Sequence, residues 1–173
     1  DFGIYNRYSD QTSGTLISNN IISNNGDHGI YSYSGNFTFE GNILSDNGDD
    51  AVYSRFGEAY IINNIVENNS AGAGIYVRDC SNSSLIEGNI VKNNPSGMLL
   101  YNTGGVFKNN TVVLNNSWGF DVNGINGDIA LSVINNTITN NGNGIWMNIG
   151  NSISSITQNI ITNNNNKGVE QHS

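Results

Sequence analysis

The chain has one cysteine, one proline and only six Lys and Arg against 14 Asp and Glu over 173 residues. Each scarcity excludes something. A lone Cys80 cannot close an internal disulfide, so packing and hydrogen bonds must supply the stability. Phosphate neutralisation needs clustered cations, and a formal net charge of -8 with pI near 4.3 excludes a nucleic-acid partner and disfavours an anionic membrane surface. No stretch approaches the roughly 18 consecutive apolar residues that insertion as a membrane-crossing helix requires, nor is there an amphipathic segment of helical period.

Asparagine, by contrast, occurs 35 times, isoleucine 22 times and glycine 21 times. Such an excess of Asn could mark a low-complexity tract, but here it is interleaved with β-branched residues at fixed offsets. A small residue followed by an apolar one recurs at Gly3-Ile4, Gly29-Ile30, Ala51-Val52, Gly74-Ile75, Gly97-Met98, Gly119-Phe120, Gly144-Ile145 and Gly168-Val169, at intervals of 22 to 26 residues. Between these anchors runs a sharper motif, apolar-x-x-Asn-[Ile/Thr]-apolar-x-x-Asn, in seven copies. Its leading positions are Ile17, Phe39, Ile61, Ile86, Phe107, Val133 and Ile156. Its two Asn columns are Asn20, Asn42, Asn64, Asn89, Asn110, Asn136 and Asn159, then Asn25, Asn47, Asn69, Asn94, Asn115, Asn141 and Asn164.

A repeat of this length with β-branched alternation and no helix fits one rung of a parallel β-solenoid. Leucine-rich repeats would need Leu at their consensus positions, and the Gly-rich Ca²⁺-binding nonapeptide never occurs. The expected fold is an all-β, right-handed parallel β-helix of about seven coils, the hand following from right-handed crossovers. Residues 1-173 form one such domain. The Asn columns are expected to be inward ladders, amide stacked on amide, at corners whose left-handed backbone Asn tolerates. Because the chain starts and stops on an anchor with no capping segment, the expectation is a fragment of a longer protein or end-to-end self-association.

The runs Asn19-Asn20-Ile21-Ile22-Ser23-Asn24-Asn25 and Asn135-Asn136-Thr137-Ile138-Thr139-Asn140-Asn141, with the Gly-Ile anchors, resemble parallel β-helix repeats of the pectin-lyase-like superfamily. They are most similar to the Asn-rich versions of archaeal and bacterial surface proteins and of periplasmic copper-enzyme maturation proteins. The resemblance implies the fold and an extracellular or cell-surface setting. It leaves the activity open among polysaccharide lyases, hydrolases, epimerases, adhesins and passive spacers.

Strand alternation assigns the outward neighbours of each anchor. One residue after it stand Tyr5, Tyr31, Tyr53, Tyr76, Leu99, Asp121 and Trp146; three after it stand Arg7, Tyr33, Arg55, Arg78 and Tyr101; two before it stand Phe2, His28, Asp50 and Ala73. An aromatic row with three of the six cations suits an acidic polysaccharide, the rings of Tyr31, Tyr33, Tyr53, Tyr76, Tyr101 and Trp146 meeting sugars and Arg meeting carboxylate or sulfate. The competing explanation is that the aromatics stack for stability under cation-π pairs, in a structural or adhesive rod. Since enzymes of the superfamily use acids, His, Lys or Arg on an outer sheet face, the resemblance makes His28, Asp50, Arg55, Arg78 and Asp79 the catalytic candidates. A lyase or epimerase would take a proton with His28 or Tyr53 and hold the carboxylate with Arg, and a hydrolase would pair Asp50 with Asp79.

Neither constellation aligns with a family motif. Asp46-Asn47-Gly48-Asp49-Asp50 has the acids of a Ca²⁺ loop without its distal bidentate Glu, so no cofactor is expected and Ca²⁺ is the minor alternative. Copper has no ligand spacing in His28, His172, Cys80, Met98 and Met147. Of six N-x-[Ser/Thr] sites, Asn36 and Asn82 are expected to be the most accessible.

Overall fold

A computed structural model describes residues 1–7, 14–125, 127–150 and 153–172. The chain winds through three parallel sheets, and every described strand pair is parallel. Sheet A has eight strands: Ile4–Arg7, Ile30–Tyr33, Val52–Arg55, Ala73–Arg78, Ser96–Tyr101, Trp118–Ile125, Asn143–Ile149 and Val169–His172. Sheet B has seven, from Gly14–Ser18 to Ile153–Thr157, and sheet C seven, from Ile21–Ser23 to Ile160–Thr162. One strand from each sheet makes a rung, giving seven rungs followed by one further strand of sheet A.

Period-two alternation builds the core as read from the sequence. Ile61, Ile86 and Phe107 are stacked neighbours in sheet B and fully buried, as are Ile30, Val52, Ile75, Met98, Phe120 and Ile145 in sheet A. Sheet C contributes Leu44, Val66, Val91, Val112 and Ile138. Three β-branched or aromatic columns thus close a continuous apolar interior, the principal driving force for the coil.

Both Asn columns point inward. The Asn89 side-chain oxygen accepts from the backbone N–H and the side-chain amide of Asn64, at 2.9 and 3.0 Å. Its own amide donates to Asn110 Oδ1 at 3.0 Å and to the Ile61 carbonyl at 2.8 Å. The pattern recurs along the first column, where Asn42, Asn110 and Asn136 donate to the carbonyls of Ile17, Ile86 and Phe107. In the second, Asn94, Asn115 and Asn141 donate to those of Val66, Val91 and Val112. Backbone groups left over at each corner are thereby satisfied inside the coil, where an orphan would cost about 1–3 kcal/mol.

The left-handed conformation is not carried by the ladder residues themselves but by the residue before each. In the second column these are Asn24, Asp46, Asn68, Asn93, Leu114, Asn140 and Asn163, with φ between 53° and 59°. In the first they are Asn19, Gly41, Asn63, Gly88, Asn109, Asn135 and Gln158. The doubled asparagines of the sequence therefore divide two tasks, one turning the chain and the next sealing the corner.

Leu114 breaks the rule: it stands at φ 59° and is 53% exposed, so it has left-handed strain without a buried contact to offset it. Leu114→Asn should raise stability by about 1 kcal/mol, because Asn visits this region far more readily than Leu. A thermal melt should show a midpoint about 2–4 °C higher. Asn89→Leu should instead cost at least ~3 kcal/mol by orphaning several buried groups, whereas Asn123→Leu removes only an exposed contact with Asn148; denaturant titration of the two variants should separate them clearly.

Candidate functional site

The outer face of sheet A carries three columns. In the middle, Tyr5, Tyr31, Tyr53, Tyr76, Leu99, Asp121 and Trp146 lie in register on successive strands. Tyr5 and Tyr31 stack at 5.3 Å with 9° between planes, and Tyr31 and Tyr53 at 5.0 Å with 10°. In such a stack the flat faces are turned to one another and solvent meets ring edges and hydroxyls. Tyr76 departs from the stack, lying at 84° to Tyr53. Its ring lines an open cleft of about 360 Å³ with Ser96, Leu99, Asp121, Asp49, Asp50, Gly72 and Ala73. Trp146 sits three strands further on, with Trp118 at 6.5 Å and His172 at 5.9 Å, apart from this group.

Along the edge leading to sheet B, Asp79 Oδ2 faces Arg55 Nε at 3.2 Å and Arg78 Nε at 3.3 Å, while Asp79 Oδ1 accepts from the Asn102 amide at 2.9 Å. The guanidinium carbons lie over rings: Arg7 over Tyr33 at 5.4 Å, Arg55 over Phe56 at 4.5 Å and Arg78 over Tyr101 at 4.9 Å. Asp79 has φ 51° and Phe56 φ 61°, in a left-handed column that also contains Ser34 and Asn102. Phe56 and Asn102 are members of this cluster that the alternation rule, confined to strands, does not reach.

The opposite edge, leading in from sheet C, is acidic. The corners Asn25-Gly26-Asp27-His28 and Asn47-Gly48-Asp49-Asp50 stack rung on rung, with Gly48 N–H donating to the Asn25 and Asp27 carbonyls at 2.8 and 3.1 Å. A Cβ on Gly48 would fall 2.4 Å from the Gly26 carbonyl oxygen, so the rungs can approach this closely only over glycine. Asp27, absent from the site candidates, joins His28 and Asp49 here; the signal was Asn-Gly-Asp repeated after 22 residues.

Asp50 and Ala73 were expected outward and are instead buried, 5% and 1% exposed. The next corner, from Asn69 to Ile75, is one residue longer than those from Asn25 to Ile30 and from Asn47 to Val52. That extra length folds Gly72, at φ +64°, over Asp50, and Ala73 N–H donates to Asp50 Oδ1 at 2.5 Å.

A family model described as a right handed beta helix region matches residues 72–173. The chain belongs to the right-handed β-helix family. Comparison with curated proteins and with solved structures returned no match.

On this β-helix the candidate groups do not form one constellation. His28 and Asp50 precede their strands while Arg55 and Arg78 end theirs, a separation of about 16 Å at 3.3 Å per residue. Asp50 and Asp79 are a further residue apart, about 20 Å, where paired glycosidase carboxylates stand roughly 5–9.5 Å apart. Tyr53 and Tyr76 lie between base and cation. Burial raises both phenols, with Arg55 and Arg78 pulling Tyr53 the other way and Arg78 pulling Tyr76, so neither is an activated base at neutral pH.

Asp46 is the left-handed residue of its corner and stands exposed, outside the group formed by Asp27, His28 and Asp49. Among the glycosylation sequences, Asn82 is exposed but ties Asp128 O and Ala130 N, at 3.1 and 3.0 Å. Asn36 lies half-buried in a strand, whereas Asn68, Asn109 and Asn135 are exposed. Cys80 is buried at the end of sheet A with its thiol pushed up to about 12, first by burial, which makes it a poor nucleophile.

Burial also pushes Asp50 up to about 7, the Ala73 N–H opposing and the charges of Asp49 and Asp27 adding. A carboxyl whose folded pKa exceeds its unfolded value stabilises the fold fully below the unfolded value, near 3.9, and loses that contribution as pH rises through the folded one. Asp50→Asn keeps an acceptor for Ala73 and does not titrate. With chelator present, its advantage over the parent should therefore grow between pH 4 and pH 8, by up to about 4 kcal/mol, as read from thermal melts across that range.

Proposed function

We propose that this β-helix binds an acidic polysaccharide across the outer face of sheet A, outside the cell or at its surface where such polymers are met. The observation that carries the reading is the charge imbalance at the edge toward sheet B. Arg7, Arg55 and Arg78 line it in a protein of net charge -8, and among the described residues Asp79 is the one carboxylate paired with them. The other three cations lie elsewhere, Lys92 with Glu67, Lys108 with Glu87 and Lys167 with Glu170. Two guanidinia sharing one carboxylate keep donors for an incoming carboxylate or sulfate.

The sugar ring itself is best received by Tyr76, turned out of the aromatic stack beside Leu99 and Ser96. Tyr31 and Tyr53 offer hydroxyls and edges. Asp121, lining the same cleft, would accept from sugar hydroxyls and turn the anionic substituent toward the arginines. Binding is the stronger part of the reading, because His28 and Asp50 stand about 16 Å along the strands from Arg55 and Arg78, farther than one sugar spans.

A non-catalytic structural or adhesive rod is the second reading, favoured by the same stack: rings whose faces cover one another, under guanidinia that lie on neighbouring rings, are what a stable sheet face needs. Calorimetric titration of polygalacturonate, alginate and chondroitin sulfate decides between them. The expected result is saturable binding to at least one, weakening as salt rises, without new reducing or unsaturated ends. Tyr76→Ala should weaken it by about 1 kcal/mol or more, and Tyr31→Ala by less. No binding to any of them leaves the rod as the better account.

A further inference from the structure

The corner between sheets C and A brings together groups that polysaccharide binding does not use. Asp27, His28 and Asp49 each offer a ligand atom, and these atoms all lie within 4.8 Å of one another. They come from two adjacent rungs held in register by the backbone bonds from Gly48 to Asn25 and Asp27. His28 is wedged among Phe2, Tyr31 and Tyr53, with ring centroids 5.4 to 5.7 Å away, so the imidazole cannot swing freely. Its Nε2 lies 3.7 Å from Asp27 Oδ1, and the His28 N–H fixes that carboxylate with a hydrogen bond of 2.9 Å.

A second observation points the same way. His28 Nδ1 is buried and makes no hydrogen bond, and 3.5 Å from it stands Oδ2 of Asp50, whose side chain is only 7% exposed. A buried carboxylate aimed at the remote nitrogen of a histidine is the arrangement that fixes the tautomer and orientation of a metal-bound imidazole. Gly72 makes room for it: a Cβ there would fall 2.3 Å from Asp50 Oδ1 and 2.5 Å from Asp49 Oδ1. The corner is therefore shaped around both carboxylates at once.

We propose that Asp27, His28 and Asp49 bind a divalent transition-metal ion of the zinc class, with Asp50 as the positioning residue behind His28. One imidazole with two carboxylates suits Zn²⁺, Co²⁺ or Mn²⁺ better than Ca²⁺, which prefers oxygen ligands alone. Three protein ligands leave a position for water. The site stands independently of glycan binding.

The test uses the intact chain, stripped of metal by chelation and titrated with Zn²⁺ or Co²⁺ alone, followed by calorimetry and by the visible spectrum of Co²⁺. One equivalent should bind. His28→Ala and Asp49→Asn should each weaken binding at least tenfold, and Asp50→Asn about 10- to 100-fold, while Asp46→Asn, at the same corner but outside the set, should change nothing. In the Co²⁺-loaded parent, a paramagnetically shifted imidazole N–H resonance should appear and be absent from His28→Ala but not from His172→Ala, which identifies the ligand without relying on one variant's folding. The proposal is overturned if neither ion binds saturably, if His28→Ala binds as the parent does, or if Ca²⁺ binds as tightly as Zn²⁺.

Discussion

The stacked asparagine amide is the interaction on which the rest of this molecule depends. A parallel coil of three sheets turns three times per rung, and the Asn columns seal the turns from B to C and from C to A, where carbonyl and N–H groups are left that no strand partner can reach. An inward amide has two donors and an acceptor oxygen with two lone pairs, which match the two donors of the rung before and the carbonyl and amide oxygen on either side. Since each Asn amide bonds the amide of its counterpart one rung away, the ladder also fixes register. A slip of one residue would break both columns at once and turn the core outward.

Register, in turn, makes the outer face of sheet A a set of columns. Tyr over Tyr, Arg near Arg and Asp over Asp follow from equal spacing between anchors. Where the spacing changes, the chemistry changes: the longer corner before Ile75 turns Asp50 from an outward acid into a covered one and opens the cleft at Tyr76. The resulting surface is polarised across the strands, acidic where sheet C enters, aromatic in the middle and cationic where sheet B leaves. His28 and Asp50, on its acidic edge, stand about 16 Å from Arg55 and Arg78 on its cationic one.

Much of this was legible in the sequence. The seven-copy motif carried the parallel coil of about seven rungs, the core columns and the two ladders because repeats of one length must stack, and because apolar alternation admits one inward face. The faces of the tyrosines were not legible: alternation says that Tyr31 and Tyr53 point outward, not whether each ring turns its face to solvent or to its neighbour. Nor was the division of labour within each Asn pair, since both residues suit a corner and only the backbone shows which one is left-handed. Asp79 read as a catalytic candidate to be paired with Asp50, yet it is the shared partner of Arg55 and Arg78 from a position past the strand end, where period two no longer predicts direction.

What the sequence by itself determined is the periodic part: strand and corner positions, the buried columns and the identity of the outward rows. These follow from spacing, and spacing is written in the chain. What only the tertiary structure decided is the aperiodic part: the covering of Asp50 by Gly72, the turned ring of Tyr76, and the meeting of Asp27, His28 and Asp49. Each arises from one rung pressing on the next through atoms some 21 to 23 residues apart, at corners where a single inserted residue or a missing Cβ redirects side chains that the repeat alone would leave in line.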